Sequence, residues 1–245
     1  MNRLFLLPLL LSAFLLHAEP LRIGTLVYNP PFEVEADNKK HFYGFDIDLM
    51  LEICARIKAD CDFIPLTFEQ IFSELLADRI KLGLGSISIT PSRKANFLFS
   101  LPYLASKGQF ITNNTSSFIN MDEIQGKRIG TVKGTVFKAV VLAHYNNVGE
   151  IIEYPTLSAT FHALSNDKVD VIITDRQTAK YWHATNSTLF RLIGDAIPAG
   201  IGYGIMAGKK ETYLIHQINN TLMAMEADGS YLKIYNRYFS KMTFQ

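Results

Sequence analysis

Hydrophobic positions follow two alternating spacings along the first half of the chain. Short apolar runs rich in β-forming residues predict strands over 21–27, 61–66 and 81–89. Between these runs, apolar positions at helical spacing predict a helix that begins near Gly44 and a second helix over 68–78. This order predicts a βαβαβ unit with a mainly parallel sheet.

The same alternation of predicted strands and helices is found in the second half of the chain. Strands are predicted over 108–112, 128–132, 151–154 and 169–174, and helices over 134–144, 158–165 and 211–239, the last interrupted at Asp228 and Gly229. The glycine-rich segment 200–205 precedes the long helical region. We therefore expect an α/β protein of two lobes, with the chain crossing between them twice.

The first part of the chain differs in composition from the rest. Arg3 precedes an apolar run over 4–16, which is followed closely by the small residue Ala18. The run is short for a membrane span and has the charge order of a secretory signal peptide. We expect residues 1–18 to be removed by cleavage near Ala18 and the mature protein to lie in the periplasm. No cysteine directly follows that position to carry a lipid anchor.

The charge balance is close to neutral. The chain has 24 Lys and Arg residues against 23 Asp and Glu residues, a formal net charge of +1, and one positive charge leaves with Arg3. A net charge near zero gives no general attraction to nucleic acid or to an anionic membrane. We therefore expect a small-molecule ligand and no nucleic acid partner.

The chain contains two cysteines, Cys54 and Cys61. In an oxidising compartment a pair of cysteines most simply forms a disulfide. A zinc site would need further ligands, and no histidine or cysteine is spaced around this pair in a zinc-like pattern. We expect no metal, and a disulfide that joins the end of the first helix to the next strand and adds about 2–3 kcal/mol to stability.

The segment 85–93 carries the clearest candidate chemistry. Thr90 is a good N-cap residue and Pro91 suits the first helical position, so helix capping explains both without a functional role. Capping does not explain Arg93. Backbone N–H groups and small hydroxyl groups after a strand, followed by a guanidinium group, form a donor surface suited to a carboxylate. Asp175 ends another predicted strand, at the sheet edge where open α/β sheets bind ligands.

A series of short motifs makes the chain resemble the extracytoplasmic solute-binding proteins of amino-acid ABC transporters, over essentially its whole length after the signal peptide. The motifs are Pro30-Pro31-Phe32, Gly44-Phe45-Asp46-Ile47-Asp48-Leu49, Ser88-Ile89-Thr90-Pro91 with Arg93, Phe99-Ser100 with Pro102-Tyr103, Gly126-Lys127, Gly134-Thr135, Asp170, Asp175 and Asp228-Gly229-Ser230-Tyr231. The spacing of the two cysteines is similar to that of the arginine and lysine/arginine/ornithine binders of this family.

The resemblance implies a two-lobed periplasmic-binding-protein fold, or Venus flytrap, with two hinge crossings. Residues 19–104 and 206–245 would form the first lobe, and residues 108–200 the second. The lobes would close over one free polar or cationic L-amino acid, arginine being the leading candidate, and an inner-membrane ABC permease would recognise the closed form. Such a protein would work as a monomer, with no cofactor and no catalytic residue.

The motifs also carry over the implied roles of single residues. Arg93 would bind the α-carboxylate of the ligand, together with the backbone N–H groups of Ser88 and Thr135. Asp175 would bind the α-ammonium group, assisted by the carbonyl of Ser86. Because Arg93 and Asp175 lie in different lobes, the ligand would bridge the lobes and favour closure.

The side-chain end of the implied site departs from the family's pattern. Phe68 matches an aromatic residue that stacks on the ligand side chain, although a Phe at the start of an amphipathic helix is more often a core residue. Members with cationic ligands usually carry an acid and an aromatic residue at the positions of Leu26 and Asn29, and Tyr28 lies one residue away. Either another acid such as Glu33 reaches the ligand, or the ligand is a neutral polar amino acid such as glutamine.

Two other functions stay open on the sequence alone. Periplasmic cyclohexadienyl dehydratases share the implied fold, and Asp175 or Glu33 could serve there as a general acid. The same domain also serves as a sensing module of receptors. The histidines show no nucleophile at a useful spacing, and the glycine-rich segment 200–204 lacks the spacing of a phosphate loop.

Overall fold

A computed structural model describes residues 19–37 and 41–240, so the predicted signal peptide lies outside the described residues. The strands are β1 (Leu21–Leu26), β2 (Tyr28–Asn29), β3 (Glu33–Glu35), β4 (Phe42–Tyr43), β5 (Cys61–Leu66), β6 (Leu82–Gly83), β7 (Leu98–Phe99), β8 (Lys107–Asn113), β9 (Ile129–Val132), β10 (Ile151–Tyr154), β11 (Val171–Asp175), β12 (Phe190–Pro198) and β13 (Met206–Ala207). The α-helices are α1 (Phe45–Ile57), α2 (Phe68–Leu76), α3 (Pro91–Asn96), α4 (Phe137–His144), α5 (Leu157–Ser165), α6 (Arg176–Thr185), α7 (Thr212–Ala227) and α8 (Ser230–Phe239).

One sheet forms the centre of the first lobe, with the strand order β5-β1-β6-β13-β7. β1 runs parallel to β5 and β6, whereas β13 runs antiparallel to β6 and β7. Phe63 packs into a core cluster with residues of α1, α7 and α8, and its neighbour Ile64 packs against a second cluster around α2. Because successive side chains of a strand point to opposite faces, helices cover both faces of this sheet.

The second lobe repeats this arrangement around a sheet of order β10-β9-β11-β8-β12. β9, β10 and β11 are parallel, and β8 pairs antiparallel with β11 and β12. Ile172 belongs to a core cluster with α5, and the next residue, Ile173, belongs to a cluster with α4. The end of β11 therefore lies in the middle of a sheet that is covered on both faces.

The chain crosses between the lobes at 103–106 and again at 199–204, and the two crossings lie side by side. Tyr103 N–H donates to the carbonyl of Tyr203 at 2.9 Å, and Tyr203 N–H donates to the carbonyl of Leu104 at 2.8 Å. Further along, Ala199 N–H donates to the carbonyl of Ser106 at 3.0 Å. The expected two-lobed α/β fold with two crossings is thus confirmed.

The disulfide is confirmed as well. Cys54, near the end of α1, is bonded to Cys61, the first residue of β5, with a Cα–Cα distance of 6.3 Å. It joins the end of a helix to the following strand, as expected.

Some predicted elements were wrong in extent or were missed. The predicted strand over 81–89 ends at Gly83, because the chain turns at Gly85 (φ 138°) and Ser86 (φ 43°). The helix predicted from residue 134 begins at Phe137. The three-stranded sheet β2-β3-β4, α6 and β12 were not predicted. Among the helices of the described ranges, none combines the length and the apolar composition needed to cross a membrane.

Candidate functional site

A cavity of about 270 Å³ lies between the two lobes. The lining includes all eight residues that were predicted to contact the ligand: Tyr28, Asn29, Phe68, Ser86, Ser88, Arg93, Thr135 and Asp175. The wall comes from the ends of β1, β5, β9 and β11, from the N-terminal turns of α2, α4 and α5, from β2, and from the segment 86–93 that leads into α3. The strand ends of both sheets therefore meet at this cavity, as expected for ligand sites of open α/β sheets.

Arg93 supplies a positive charge to the cavity. Thr90 caps α3 by accepting a hydrogen bond from the N–H of Arg93 at 3.3 Å, which fixes the turn that carries the guanidinium group. That group donates to the carbonyl oxygens of Ser88 at 2.8 Å and Gly134 at 3.0 Å. Burial lowers the pKa of Arg93 to about 10, while the charge of Asp175 acts in the opposite direction. Arg93 therefore stays protonated at neutral pH.

Asp175, the last residue of β11, supplies a negative charge from the other lobe. Its Oδ1 accepts a hydrogen bond from the hydroxyl of Tyr203 at 2.5 Å, and its Oδ2 accepts one from the hydroxyl of Ser86 at 3.1 Å. Burial raises the pKa of Asp175 to about 6, and the two hydroxyl hydrogen bonds act against this rise. At neutral pH the carboxyl group of Asp175 is therefore ionised in most molecules.

The amide of Asn29 makes three hydrogen bonds within the protein. Its Nδ2 donates to Glu33 Oε1 at 3.0 Å and to the hydroxyl of Ser86 at 3.2 Å. Its Oδ1 accepts a hydrogen bond from the hydroxyl of Thr178, on α6 of the second lobe, at 3.0 Å. Asn29 lines the cavity and also links the two lobes directly.

The remaining predicted residues add hydroxyl groups and an aromatic ring to the cavity wall. The hydroxyl of Ser88 lies 2.8 Å from that of Ser106, and the hydroxyl of Thr135 donates to the carbonyl of Val132 at 2.7 Å. The backbone N–H of Thr135 points to the same carbonyl at 3.3 Å. The ring of Tyr28 meets the indole of Trp182 edge to face, with centroids 6.3 Å apart.

Phe68 fits both of its interpretations. The side chain is 5% exposed and belongs to a core cluster with Ile71 and Leu75. It also lines the cavity, and the guanidinium carbon of Arg93 lies 5.4 Å from its ring centroid. A ligand in the cavity would meet one part of a ring that is otherwise packed in the core.

Glu33 does not line the cavity, although it was considered as an acid that could reach the ligand. It is fully buried behind Asn29, which donates to its Oε1. Burial, and next the charge of Asp46, raise the pKa of Glu33 well above its usual range. Among the described residues that line the cavity, the only acid is Asp175.

Two functional neighbours were missed by the sequence analysis. Asp46 Oδ2 accepts the backbone N–H of Ser86 at 2.9 Å and the hydroxyl of Tyr103 at 2.8 Å, which holds the turn at residues 85–86 in place. Tyr203 donates to Asp175. Both residues stand in motifs that were noted for other reasons, Asp46 at the start of a helix and Tyr203 among the glycines of the second crossing.

Comparison with known proteins gives a consistent result. The family model described as bacterial extracellular solute-binding proteins, family 3, matches residues 21–241. A putative ABC transporter arginine-binding protein 2 of Escherichia coli K12 is 28% identical over 229 residues, which are 91% of this chain and 92% of that protein. The histidine-binding periplasmic protein of the same organism is 27% identical over 236 residues, covering 93% of this chain and 90% of that protein.

Among solved structures, an arginine 3rd transport system periplasmic binding protein from Legionella pneumophila is similar throughout. It superposes with a TM-score of 0.86 at 42% sequence identity, and the match covers 90% of this chain and 99% of that one.

Proposed function

Because the chain belongs to the bacterial extracellular solute-binding proteins of family 3, we propose that it captures one free L-amino acid between its lobes and delivers it to the permease of an ABC transporter. The mature protein would act in the periplasm, where relatives named as periplasmic binding proteins work. It would act as a monomer and without a cofactor.

One observation carries the proposal. Arg93 and Asp175 bring a positive and a negative charge to one cavity from different lobes, and the two side chains do not form an ion pair with each other. A free amino acid has a carboxylate and an ammonium group that match these charges. Since each charge of a bound zwitterion would be costly to bury alone, a site with both partners favours this ligand class.

Arginine is the leading candidate among the polar and cationic amino acids. Two of the similar proteins are named for arginine, and the rings of Phe68 and Tyr28 on the cavity wall suit a guanidinium group or a long alkyl stem. Leu26 on the same wall offers no negative charge. A neutral polar amino acid such as glutamine is therefore the second candidate.

Binding without turnover accounts for the site better than a dehydratase does. A general acid must carry a proton at the working pH. Both oxygens of Asp175 accept hydrogen bonds from hydroxyl groups, an arrangement that favours the ionised carboxylate and suits an ammonium partner. Glu33, the other candidate acid, does not line the cavity. We therefore propose that the protein is not an enzyme.

A thermal-shift screen of the ligand-stripped mature protein tests the proposal. The set comprises the twenty amino acids with ornithine, citrulline, cystine and prephenate, and calorimetry follows on each ligand that raises the melting temperature. We expect one or a few amino acids to bind, and we expect Asp175→Asn, which has the same shape without the charge, to lose this binding. A wild-type protein that no amino acid stabilises, or that consumes prephenate, would contradict the proposal.

A further inference from the structure

Tyr203 occupies a special place in the second crossing. Its backbone makes two hydrogen bonds to the first crossing: its carbonyl accepts from the N–H of Tyr103, and its N–H donates to the carbonyl of Leu104. Its ring is fully buried and meets the ring of Phe32 edge to face at 5.7 Å. The phenol therefore extends from a rigid base, and little side-chain entropy is lost when its hydroxyl makes a hydrogen bond.

The hydroxyl of Tyr203 donates to the carboxylate that faces the cavity. It lies 2.5 Å from Asp175 Oδ1, while the hydroxyl of Ser86 lies 3.1 Å from Oδ2. Both carboxylate oxygens of a residue in the second lobe are thus held by hydroxyl groups from the first lobe and from the crossing. Each oxygen keeps a further lone pair that an ammonium group can use.

The surroundings of Asp175 make this hydrogen bond important. The buried acids Glu33 and Asp46 lie close enough for the charge of Asp175 to raise the pKa of each of them. Arg93 favours the ionised form of Asp175 from across the cavity. In the sequence, Arg176 follows Asp175 directly, and Lys107 precedes Gly108, which pairs with Asp175 in the neighbouring strand.

Burial raises the pKa of Asp175, and the hydrogen bond from Tyr203 opposes that rise. Without the hydroxyl of Tyr203, only the hydroxyl of Ser86 would still donate to the carboxylate. Hydrogen bonds to an ionised carboxylate favour the charged form, so their loss raises the pKa of the carboxyl group. A protonated Asp175 cannot pair with an ammonium group. The crossing would then affect ligand affinity through one hydroxyl, although Tyr203 itself does not line the cavity.

We propose that Tyr203 is a positioning residue that, from the second crossing, holds the Asp175 carboxylate charged and oriented for the ammonium group of the ligand as the lobes close. This inference rests on the proposed capture of a free amino acid. It assigns a specific role to a side chain in a segment that otherwise serves as a hinge.

The test compares Tyr203→Phe with wild type and with Tyr238→Phe. Tyr238 is a matched control because its hydroxyl also donates to a carboxylate, Asp48 Oδ2 at 2.7 Å, and neither residue lines the cavity. Calorimetry at pH 5 to 8 uses L-arginine, L-lysine and L-glutamine, which share their α-groups and whose side chains do not titrate in this range. The comparison between variants is made with whichever of the three binds wild type most tightly.

For wild type, affinity should fall as the pH drops through about 6, where Asp175 takes up a proton. For Tyr203→Phe we expect affinity at pH 7 to be lower by about tenfold or more, and the pH midpoint to rise by about one unit. Tyr238→Phe should keep the wild-type midpoint. A uniform loss of affinity with an unchanged midpoint would overturn the positioning role, because a purely structural defect does not move a titration.

Three further outcomes are distinguished by the experiment. If Tyr203→Phe does not fold by circular dichroism, Ser86→Ala removes the other hydroxyl from Asp175 and should raise the midpoint in the same direction; an unmoved midpoint there would overturn the inference. If wild type binds none of the twenty amino acids, the proposed function fails and the inference fails with it. Binding by wild type with identical binding by Tyr203→Phe overturns the inference alone.

Discussion

Each charge at the cavity is held by neutral groups. Arg93 donates to two carbonyl oxygens, and Asp175 accepts from two hydroxyl groups. If the two residues formed an ion pair, an incoming amino acid would have to break it. In the observed arrangement both charges are already fixed in place and remain able to bind a ligand, which lowers the ordering cost of binding.

Arg93→Ala should therefore remove tight amino-acid binding. The α-carboxylate of the ligand would be buried without its cation, and truncation of one partner of a buried charge pair typically costs about 2–5 kcal/mol, or about 30-fold to several thousand-fold in affinity. Calorimetry measures this loss, and thermal unfolding checks that the protein still folds.

Lys94→Ala is the matched control, since Lys94 is the next residue of α3 and its side chain is exposed. It removes one positive charge from the same helix without changing the cavity. If Arg93→Ala kept wild-type affinity, or if Lys94→Ala lost as much, the assignment of Arg93 to the carboxylate would be wrong.

At the residue scale, motifs predicted the wall of the cavity but not the groups behind it. Arg93 and Asp175 were predicted because a guanidinium group after one predicted strand and a carboxylate at the end of another indicate charge recognition. Tyr203 was missed because its partner Asp175 is 28 residues away and nothing in a glycine-rich segment predicts where a phenol points. The burial of Glu33 behind Asn29 likewise depends on tertiary packing.

At the scale of elements, predictions succeeded where a single pattern decides the structure. β5 and β10 have the predicted bounds, because both are compact apolar runs with clear breaks on each side. The strand predicted over 81–89 failed at Gly85 and Ser86, where both residues have positive φ. Ser86 is uncommon in this conformation, and the hydrogen bond from its N–H to Asp46 explains how the turn is held.

Strands β2, β3 and β4 were missed for a different reason. They have two or three residues each, which is too short for an alternating pattern to be recognised. The turn at Pro30 and Pro31 brings β2 and β3 together, and β4 pairs with the other side of β3. This small sheet carries Tyr28 and Asn29 to the cavity, so part of the site rests on the element that was hardest to predict.

The disulfide should matter for stability and not for ligand binding. Closure of the short loop between Cys54 and Cys61 should contribute about 2–3 kcal/mol by restricting the unfolded chain. The bridge lies at the start of β5, whereas Pro65 and Leu66 at the other end of that strand line the cavity. For Cys54→Ala with Cys61→Ala we expect a lower denaturation midpoint in urea and an unchanged dissociation constant.

Reduction of the wild-type protein with a thiol reagent provides the control, and it should lower the midpoint in urea by a similar amount. A double variant with wild-type stability would contradict the loop-closure estimate. A variant that folds fully but loses affinity would mean that the bridge orients the cavity end of β5.

At the scale of the whole molecule, direct hydrogen bonds between protein groups join the two lobes around the cavity. The hydroxyl of Thr178 donates to Asn29, that of Ser86 donates to Asp175, and Arg93 donates to the carbonyl of Gly134. Each hydrogen bond joins one lobe to the other. A ligand shifts the equilibrium between open and closed forms only by its differential affinity for them, so bonds that favour closure raise the affinity for every ligand alike.

The bond between Thr178 and Asn29 separates closure from recognition, because it joins the two lobes directly and Thr178 does not line the cavity. Thr178→Val keeps the shape of a fully buried side chain and removes its hydroxyl, which should weaken binding by about three- to tenfold. The factor should be the same for each amino acid that wild type binds. X-ray scattering should show a more open ligand-free form.

Thr185→Val on the same helix is the control, since the hydroxyl of Thr185 donates to the carbonyl of Tyr181 within α6 and accepts from its neighbour Asn186. It should leave both affinity and scattering unchanged. Unequal factors for different amino acids in Thr178→Val would show that Thr178 acts on the ligand rather than on closure. Equal factors would mean that this protein sets its affinity partly through contacts that no ligand touches, so that selectivity and strength of binding can change independently.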